Sequence, residues 1–399
     1  MLSVAEALAR VLALVEPLGT EEIPLAEAGG RVLAADVVAV RDQPPFAASA
    51  MDGYALRNAE AEPGARFRVI GVSQAGARFQ GRIGPGEAVR IFTGAPVPEG
   101  ADAVLIQEDA ELDPAPGADA IRVAPTRDRG LNIRPAGADF VAGDRVCAPR
   151  RLRPAEVALI AAMNVGRVRV HRRPVVAVIP TGDELAPPGG ALGPDMVASS
   201  NGYGLKAMLE AAGAEARLLP IARDSAAHLD AAFDLAAGAD LVVTLGGASV
   251  GDYDLVRPVA EARGMALDFY KVAIRPGKPL MAGRLGAQAM LGLPGNPVSA
   301  LVCAQVFVLP AIERMLGLPA GPDAPLPARL AGDIGPNGPR TQYLRARVER
   351  AGDGWRCAPC PRQDSSLLSV LAASNALMIR PPHDPALREC DPVEFIWIR

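Results

Sequence analysis

Between residues 174 and 299, short apolar runs alternate with helix-patterned segments, and polar, glycine-bearing turns close four of the runs. The turns are Thr181-Gly-Asp-Glu-Leu185, Gly246-Gly-Ala-Ser-Val-Gly-Asp-Tyr-Asp254, Arg275-Pro-Gly-Lys-Pro279 and Gly292-Leu-Pro-Gly-Asn-Pro-Val-Ser299. The order strand 175–179, helix 202–212, strand 216–221, helix 226–237, strand 240–245 and helix 254–263 is that of βαβ units. Right-handed crossovers would wind them into a parallel, three-layer αβα sandwich. If the strands are parallel, the turns converge at one sheet edge, the crevice where open α/β sheets bind ligands.

The remainder of the chain reads differently. Ser3 and Glu6 have capping-box spacing, and Val4, Ala7, Leu8, Val11, Leu12 and Val15 keep helical period, so an amphipathic helix opens the chain and ends near Gly19. Runs such as 67–70, 88–92 and 103–106, separated by Gly and Pro, read as a small inserted β domain. Pro154 sits just inside a helix at 155–163. The segment from Gly317 to Pro327 is a Pro- and Gly-rich linker, followed by a β tail with strands at 342–348, 376–379 and 393–398. The expected domains are residues 1–47 with 140–173 (N-terminal and linker), 48–139 (inserted β), 174–318 (αβα) and 325–399 (C-terminal β).

With 399 residues and half of them hydrophobic, the chain can bury several cores. A formal net charge of −4 gives no global basic field, which argues against nucleic acid or an anionic membrane as partner. The N-terminus lacks a charged region followed by an apolar one, and no uninterrupted apolar stretch spans a bilayer, so a cytoplasmic location is expected. Five cysteines in a long chain argue against a disulfide framework, and the single pair Cys357 and Cys360 lacks a second pair to complete a zinc site.

Gly246 and Gly247 after an apolar strand allow backbone amides to turn inward as a nest for phosphate oxygens, with the Ser249 hydroxyl beside them. The same pair is also what a tight βα turn needs for packing alone. Asp183, Glu184 and Asp254 supply carboxylates at the same edge, hard oxygens suited to magnesium that also holds substrate phosphate; singly, the two aspartates could equally cap helices. Lys271, Arg275 and Lys278 crowd eight residues around a Pro-Gly turn, which suits an oxyanion. Asn296, Pro297 and Ser299 fit the N-cap, first and third positions of an apolar helix running to about Met315 and kinked near Pro310. Neither Walker spacing nor a dinucleotide fingerprint is present.

Together these turns resemble the molybdopterin molybdenumtransferase family, the MoeA type that includes the E domain of gephyrin. The resemblance extends to Pro24-Leu-Ala-Glu-Ala28, Gly30-Arg-Val-Leu-Ala34, Pro44-Pro-Phe-Ala-Ala-Ser-Ala-Met-Asp-Gly-Tyr-Ala55, Arg90-Ile-Phe-Thr-Gly-Ala-Pro-Val-Pro98 and Asn132-Ile-Arg134. It implies magnesium-assisted transfer of molybdate into adenylylated molybdopterin, with release of AMP. It also implies an elongated four-domain subunit in a homodimer, with Asp52 and Thr93 reaching the crevice of the partner subunit.

By that similarity, Arg275, Lys278, Ser299, Arg345 and Ser365 hold molybdate. Gly246, Gly247, Ser249, Gly251, Asp139, Asp224, Pro294, Asn296 and Pro297 hold the pterin phosphate and adenylate, and Asp254 with Glu184 holds magnesium. Asp52, Thr93, Glu184, Asp254, Lys271, Arg275 and Lys278 are the expected catalytic set. A molybdopterin adenylyltransferase and cofactor-accepting apoenzymes are possible partners. Two positions depart from the family pattern: Arg275 stands where many relatives carry lysine, and Met196-Val-Ala-Ser-Ser-Asn201 replaces a stretch that usually contains an acid. The competing readings are a molybdopterin adenylyltransferase and a non-catalytic scaffold.

Overall fold

The computed structural model describes residues 1–113, 119–247, 255–352 and 354–399. They divide into two units, residues 1–21, 30–34 and 170–399 in the first, and 22–29 and 35–169 in the second.

In the first unit the apolar runs form a six-stranded sheet: β1 (Val175–Pro180), β2 (Glu215–Leu218), β3 (Leu241–Leu245), β4 (Met265–Tyr270), β5 (Met281–Leu285) and β6 (Gln288–Leu293), in the order β2-β1-β3-β6-β5-β4. β2, β1, β3 and β6 are mutually parallel. The sheet is mixed rather than wholly parallel, because β5 and β6 form a hairpin and β4 pairs antiparallel to β5. Side chains alternate across each strand: Val176, Val178, Leu241 and Val243 enter one core, while Ala177, Ile179 and Val242 enter another. The first core is closed by helices Val4–Ala13, Asn201–Ala211 and Pro297–Cys303, the second by Ala226–Leu235 and Val256–Ala262. Three layers follow, αβα.

The opening helix has the expected capping box, with Glu6 N–H donating to Ser3 Oγ at 3.2 Å and Ser3 N–H to Glu6 Oε2 at 2.8 Å. It ends at Ala13 rather than near Gly19. Pro17 has no N–H to donate and disfavours helical backbone at Glu16, while Val15 stays in the core without helical structure.

From Pro297 to Met315 the helix is α to Cys303, π-helical over Ala304–Val308, and α again over Leu309–Met315. The widened turn precedes Pro310, whose ring would otherwise meet the carbonyl of Val306. By length and composition this one helix among the described residues could cross a membrane, despite Gln305, Glu313 and Arg314 within it. Its apolar stretch is 83% buried, which accounts for the hydrophobicity as core packing.

The tail strands Thr341–Ala351, Gly354–Pro359, Leu326–Leu330, Pro392–Trp397 and Ala376–Arg380 pair in that order, and the last pairs back to the first, closing a barrel. The short strand Ile274–Arg275 joins Thr341–Gln342 in parallel register, which hooks a turn of the αβα layer onto the barrel wall. In the second unit, Gly53–Leu56, Arg66–Ser73, Glu87–Ile91, Ala103–Ile106, Ala110–Leu112 and Ala120–Val123 form one six-stranded sheet.

Candidate functional site

β1, β3, β4 and β6 all run the same way, so their C-terminal ends share one edge. A cleft of about 580 Å³ opens there, lined by Thr181, Gly182, Glu184, the 199–201 segment, Asp224, Gly246, Gly247 and the 294–297 segment. That volume is within the usual range for small-molecule sites. Gly247 has φ +63°, and a Cβ on it would lie 2.1 Å from Val256 Cγ2, so the turn after β3 tolerates only glycine here. Asn201 Nδ2 donates to Gly295 O at 2.6 Å, tying the opposite walls together. The 199–201 segment thus contributes two hydroxyls and an amide to the cleft.

Two carboxylates face this cleft. Asp224 and Asp183 exchange backbone-to-carboxylate hydrogen bonds, Asp224 N–H to Asp183 Oδ1 at 3.1 Å and Asp183 N–H to Asp224 Oδ2 at 3.4 Å. Partial burial, with the neighbouring charges of Asp183 and Glu184, pushes the Asp224 carboxyl above the ordinary range. The second carboxylate, Glu184, is exposed.

A second pocket of about 320 Å³ lies where the Arg275 to Pro279 turn meets the barrel. Its wall carries three cations, Arg275, Lys278 and Arg340, the hydroxyls of Ser299 and Ser365, the amides of Gln342 and Gln363, and one carboxylate, Asp364. Hydrogen bonds from the Ser366 hydroxyl and amide hold the Asp364 carboxyl below its usual range, so it is ionised at neutral pH. Three positive groups and one negative leave a formal charge of +2, which matches a dianion. Gly277 shapes the turn: its φ is +113°, and a Cβ would lie 2.2 Å from Cys303 Sγ in the helix beneath. Both pockets are lined by Pro279 and Asn296, which form a common wall.

Not every expected residue faces these pockets. Arg345 does not line this second pocket; it is 1% exposed, donating from Nε to Gln363 Oε1 at 3.0 Å and from Nη1 to Asp364 O at 2.8 Å. Arg340, which sequence reasoning passed over, occupies the wall instead and is steadied by Ile274 O at 3.3 Å. Lys271 follows β4 at the same sheet edge in a left-handed conformation, with its ammonium 5.4 Å from the Tyr270 ring centroid, and it lines neither pocket. Ser249, Gly251 and Asp254 lie outside the described residues.

The chain matches the MoeA N-terminal region (domains I and II) over residues 2–164, a probable molybdopterin binding domain over 177–314, and the MoeA C-terminal region (domain IV) over 327–398. It is 39% identical over 303 residues to the molybdopterin molybdenumtransferase of Haemophilus influenzae, covering 75% of this chain and 74% of that protein. With the enzyme of the same name from a Nostoc species, identity is 35% over 374 residues, 91% of this chain and 85% of the relative. This chain belongs to the molybdopterin molybdenumtransferase family. The crystal structure of a molybdopterin biosynthesis MoeA protein from Pyrococcus horikosii superposes with a TM-score of 0.81 at 31% identity, over 100% of this chain and 99% of that one.

In the second unit of this molybdenumtransferase-family chain, Asp52 and Thr93 form one cluster. Thr93 donates from its backbone N–H at 2.7 Å and its hydroxyl at 2.8 Å to Asp52 Oδ1, which lowers the Asp52 carboxyl below its usual range. Arg90 braces the cluster, stacked 4.9 Å from the Tyr54 ring centroid and 5.0 Å from that of Phe92, with Nη1 donating to Gly53 O at 3.2 Å. Asp139 is exposed, and its backbone N–H donates to Gln43 O at 2.9 Å.

Proposed function

We propose that this chain inserts molybdate into adenylylated molybdopterin and releases AMP, with molybdate in the oxyanion pocket and the pterin nucleotide in the adjoining cleft. The observation that carries the reading is the common wall: a pocket of formal charge +2 opens beside a glycine-turned cleft, with Pro279 and Asn296 lining both. Membership of the molybdenumtransferase family supports it. An adenylyltransferase would need the nucleotide cleft but no separate pocket for a tetrahedral dianion, so the second pocket favours transfer of the metal oxide.

In this reading Arg275, Lys278 and Arg340 neutralise molybdate, and the hydroxyls of Ser299 and Ser365 fix its orientation. The fork of Arg275 suits an oxyanion at least as well as the lysine it replaces. Gly246, Gly247, Pro294, Asn296 and Pro297 seat the pterin phosphate and adenylate. The substrate's own dithiolene sulfurs take the molybdenum, so no protein thiolate is required. Cys303, beneath the pocket, is in keeping with this, since burial pushes its thiol up to about 12 and keeps it from serving as a thiolate. Catalysis is then positioning and charge neutralisation.

The donor chemistry fits magnesium. Among the described residues no three His, Cys, Asp or Glu side chains group as a complete ligand set. Magnesium commonly takes one or two carboxylates and draws its other ligands from phosphate and water. Glu184 faces the cleft, and Asp254 would complete the pair. Bound there, magnesium would neutralise charge on the departing adenylate. A homodimer served by Asp52 and Thr93, a cytoplasmic location, and contact with an adenylyltransferase or with cofactor-accepting apoenzymes belong to the same reading.

Calorimetric titration with sodium molybdate tests the pocket. The full chain should bind, and Lys278→Ala should weaken binding about ten- to a hundredfold, the loss of one charge-assisted hydrogen bond. Unchanged affinity in Lys278→Ala contradicts the assignment.

A further inference from the structure

Asn296 occupies the N-cap position of the helix that begins at Pro297, in extended backbone conformation, φ −64° and ψ 129°. An asparagine there ordinarily turns its side chain back onto the first free amides of the helix. This one makes no such bond. Its Nδ2 donates instead to Ser365 Oγ at 3.0 Å, across 69 residues of chain. The first helical amide is diverted as well, Val298 N–H donating to Ser365 O at 3.1 Å. The start of the helix is therefore sewn at two points to the tail loop that carries Ser365, and the local stability a cap would add to the helix is given up.

The chemical consequence concerns the hydroxyl. A serine hydroxyl has one hydrogen to give and two lone pairs. With a lone pair engaged by Asn296, its hydrogen is left for the oxyanion pocket that Ser365 lines. The nearby Asp364 Oδ1, a competing acceptor, is already occupied by the Ser366 hydroxyl at 2.6 Å and the Ser366 amide at 2.8 Å. Asn296 also lines the nucleotide cleft, where Gly295 next to it is held by Asn201.

We propose that Asn296 is a positioning residue that sets Ser365 as a hydrogen-bond donor to the oxyanion and links the state of the cleft to that of the oxyanion pocket. This inference rests on the molybdate reading above, and it gives Asn296 a role exerted through Ser365 and not through contact with the metal oxide.

A double-mutant cycle tests it, with sodium molybdate as the calorimetric titrant of the full chain. Asn296→Ala and Ser365→Ala should each weaken binding about five- to tenfold, and the double variant should be no weaker than Ser365→Ala alone. Asn296→Ser keeps a residue that can cap the helix but cannot reach Ser365, so it should lose the same affinity with thermal unfolding unchanged. Losses that multiply in the double variant, or full affinity in Asn296→Ala or Asn296→Ser, overturn the proposal. If the unsubstituted chain takes up no molybdate, the molybdate reading itself fails, and this inference with it.

Discussion

A guanidinium at 1% exposure needs partners for its nitrogens, and each of the three in Arg345 finds one in the loop at residues 360–364. Its Nε, Nη1 and Nη2 donate to Gln363 Oε1, Asp364 O and Arg362 O, and Gln363 Nε2 donates back to Arg345 O at 2.9 Å and Cys360 O at 2.8 Å. Burial, the dominant influence, lowers its pKa. The clasp fixes the loop that presents Ser365. Arg345→Met should cost about 3 kcal/mol in urea unfolding, because three carbonyl acceptors lose their donor and the loop loses its clasp, and Arg345→Lys should not restore it. An Arg345→Met chain as stable as the parent contradicts this. At this scale the sequence was a partial guide. Lys278 sits in a recognisable turn and Ser299 in the first turn of a Pro-started helix, whereas Arg340 stands in an irregular Gly- and Pro-rich stretch with no pattern to mark it. Arg345 lies in a strand where a charged side chain reads as outward-facing, and only closure of the barrel under the 360–364 loop buries it.

At the scale of elements, the helix Pro154–Ala162 is set at its start by the Glu156 carboxylate, which accepts the Arg153 N–H and Arg153 Nε, each at 3.0 Å. These bonds, the side-chain one foremost, draw the Glu156 carboxyl from 4.5 down to about 2. A carboxyl lowered on folding adds stability that is full above its ordinary pKa and is lost as pH falls toward its folded one. Stability of this helix should thus decline between about pH 4.5 and 2, and Glu156→Gln should flatten that decline. A carboxyl titration by NMR with a midpoint near 4.5 contradicts the assignment. β1 and β3 were legible because buried parallel strands read as nearly continuous apolar runs with glycine within two residues of their ends. The β5–β6 hairpin was not, since its outer strand carries Gly283 and Arg284, and antiparallel closure of the sheet edge depends on tertiary pairing.

For the whole molecule, the β tail was visible as strands but its closure was not, because pairing of Thr341–Ala351 with Ala376–Arg380 leaves no local mark. Assembly is a property of the same scale. Under the homodimer reading, sedimentation equilibrium should give twice the mass of the 41.3 kDa chain, and a strictly monomeric active enzyme contradicts that reading. If two adjoining pockets bring a tetrahedral metal oxide to a nucleotide-bound pterin, AMP release from adenylylated molybdopterin by the purified chain with magnesium should depend on molybdate and be lost in Lys278→Ala. Release measured at the same rate without molybdate, or undiminished in that variant, would rule this arrangement out.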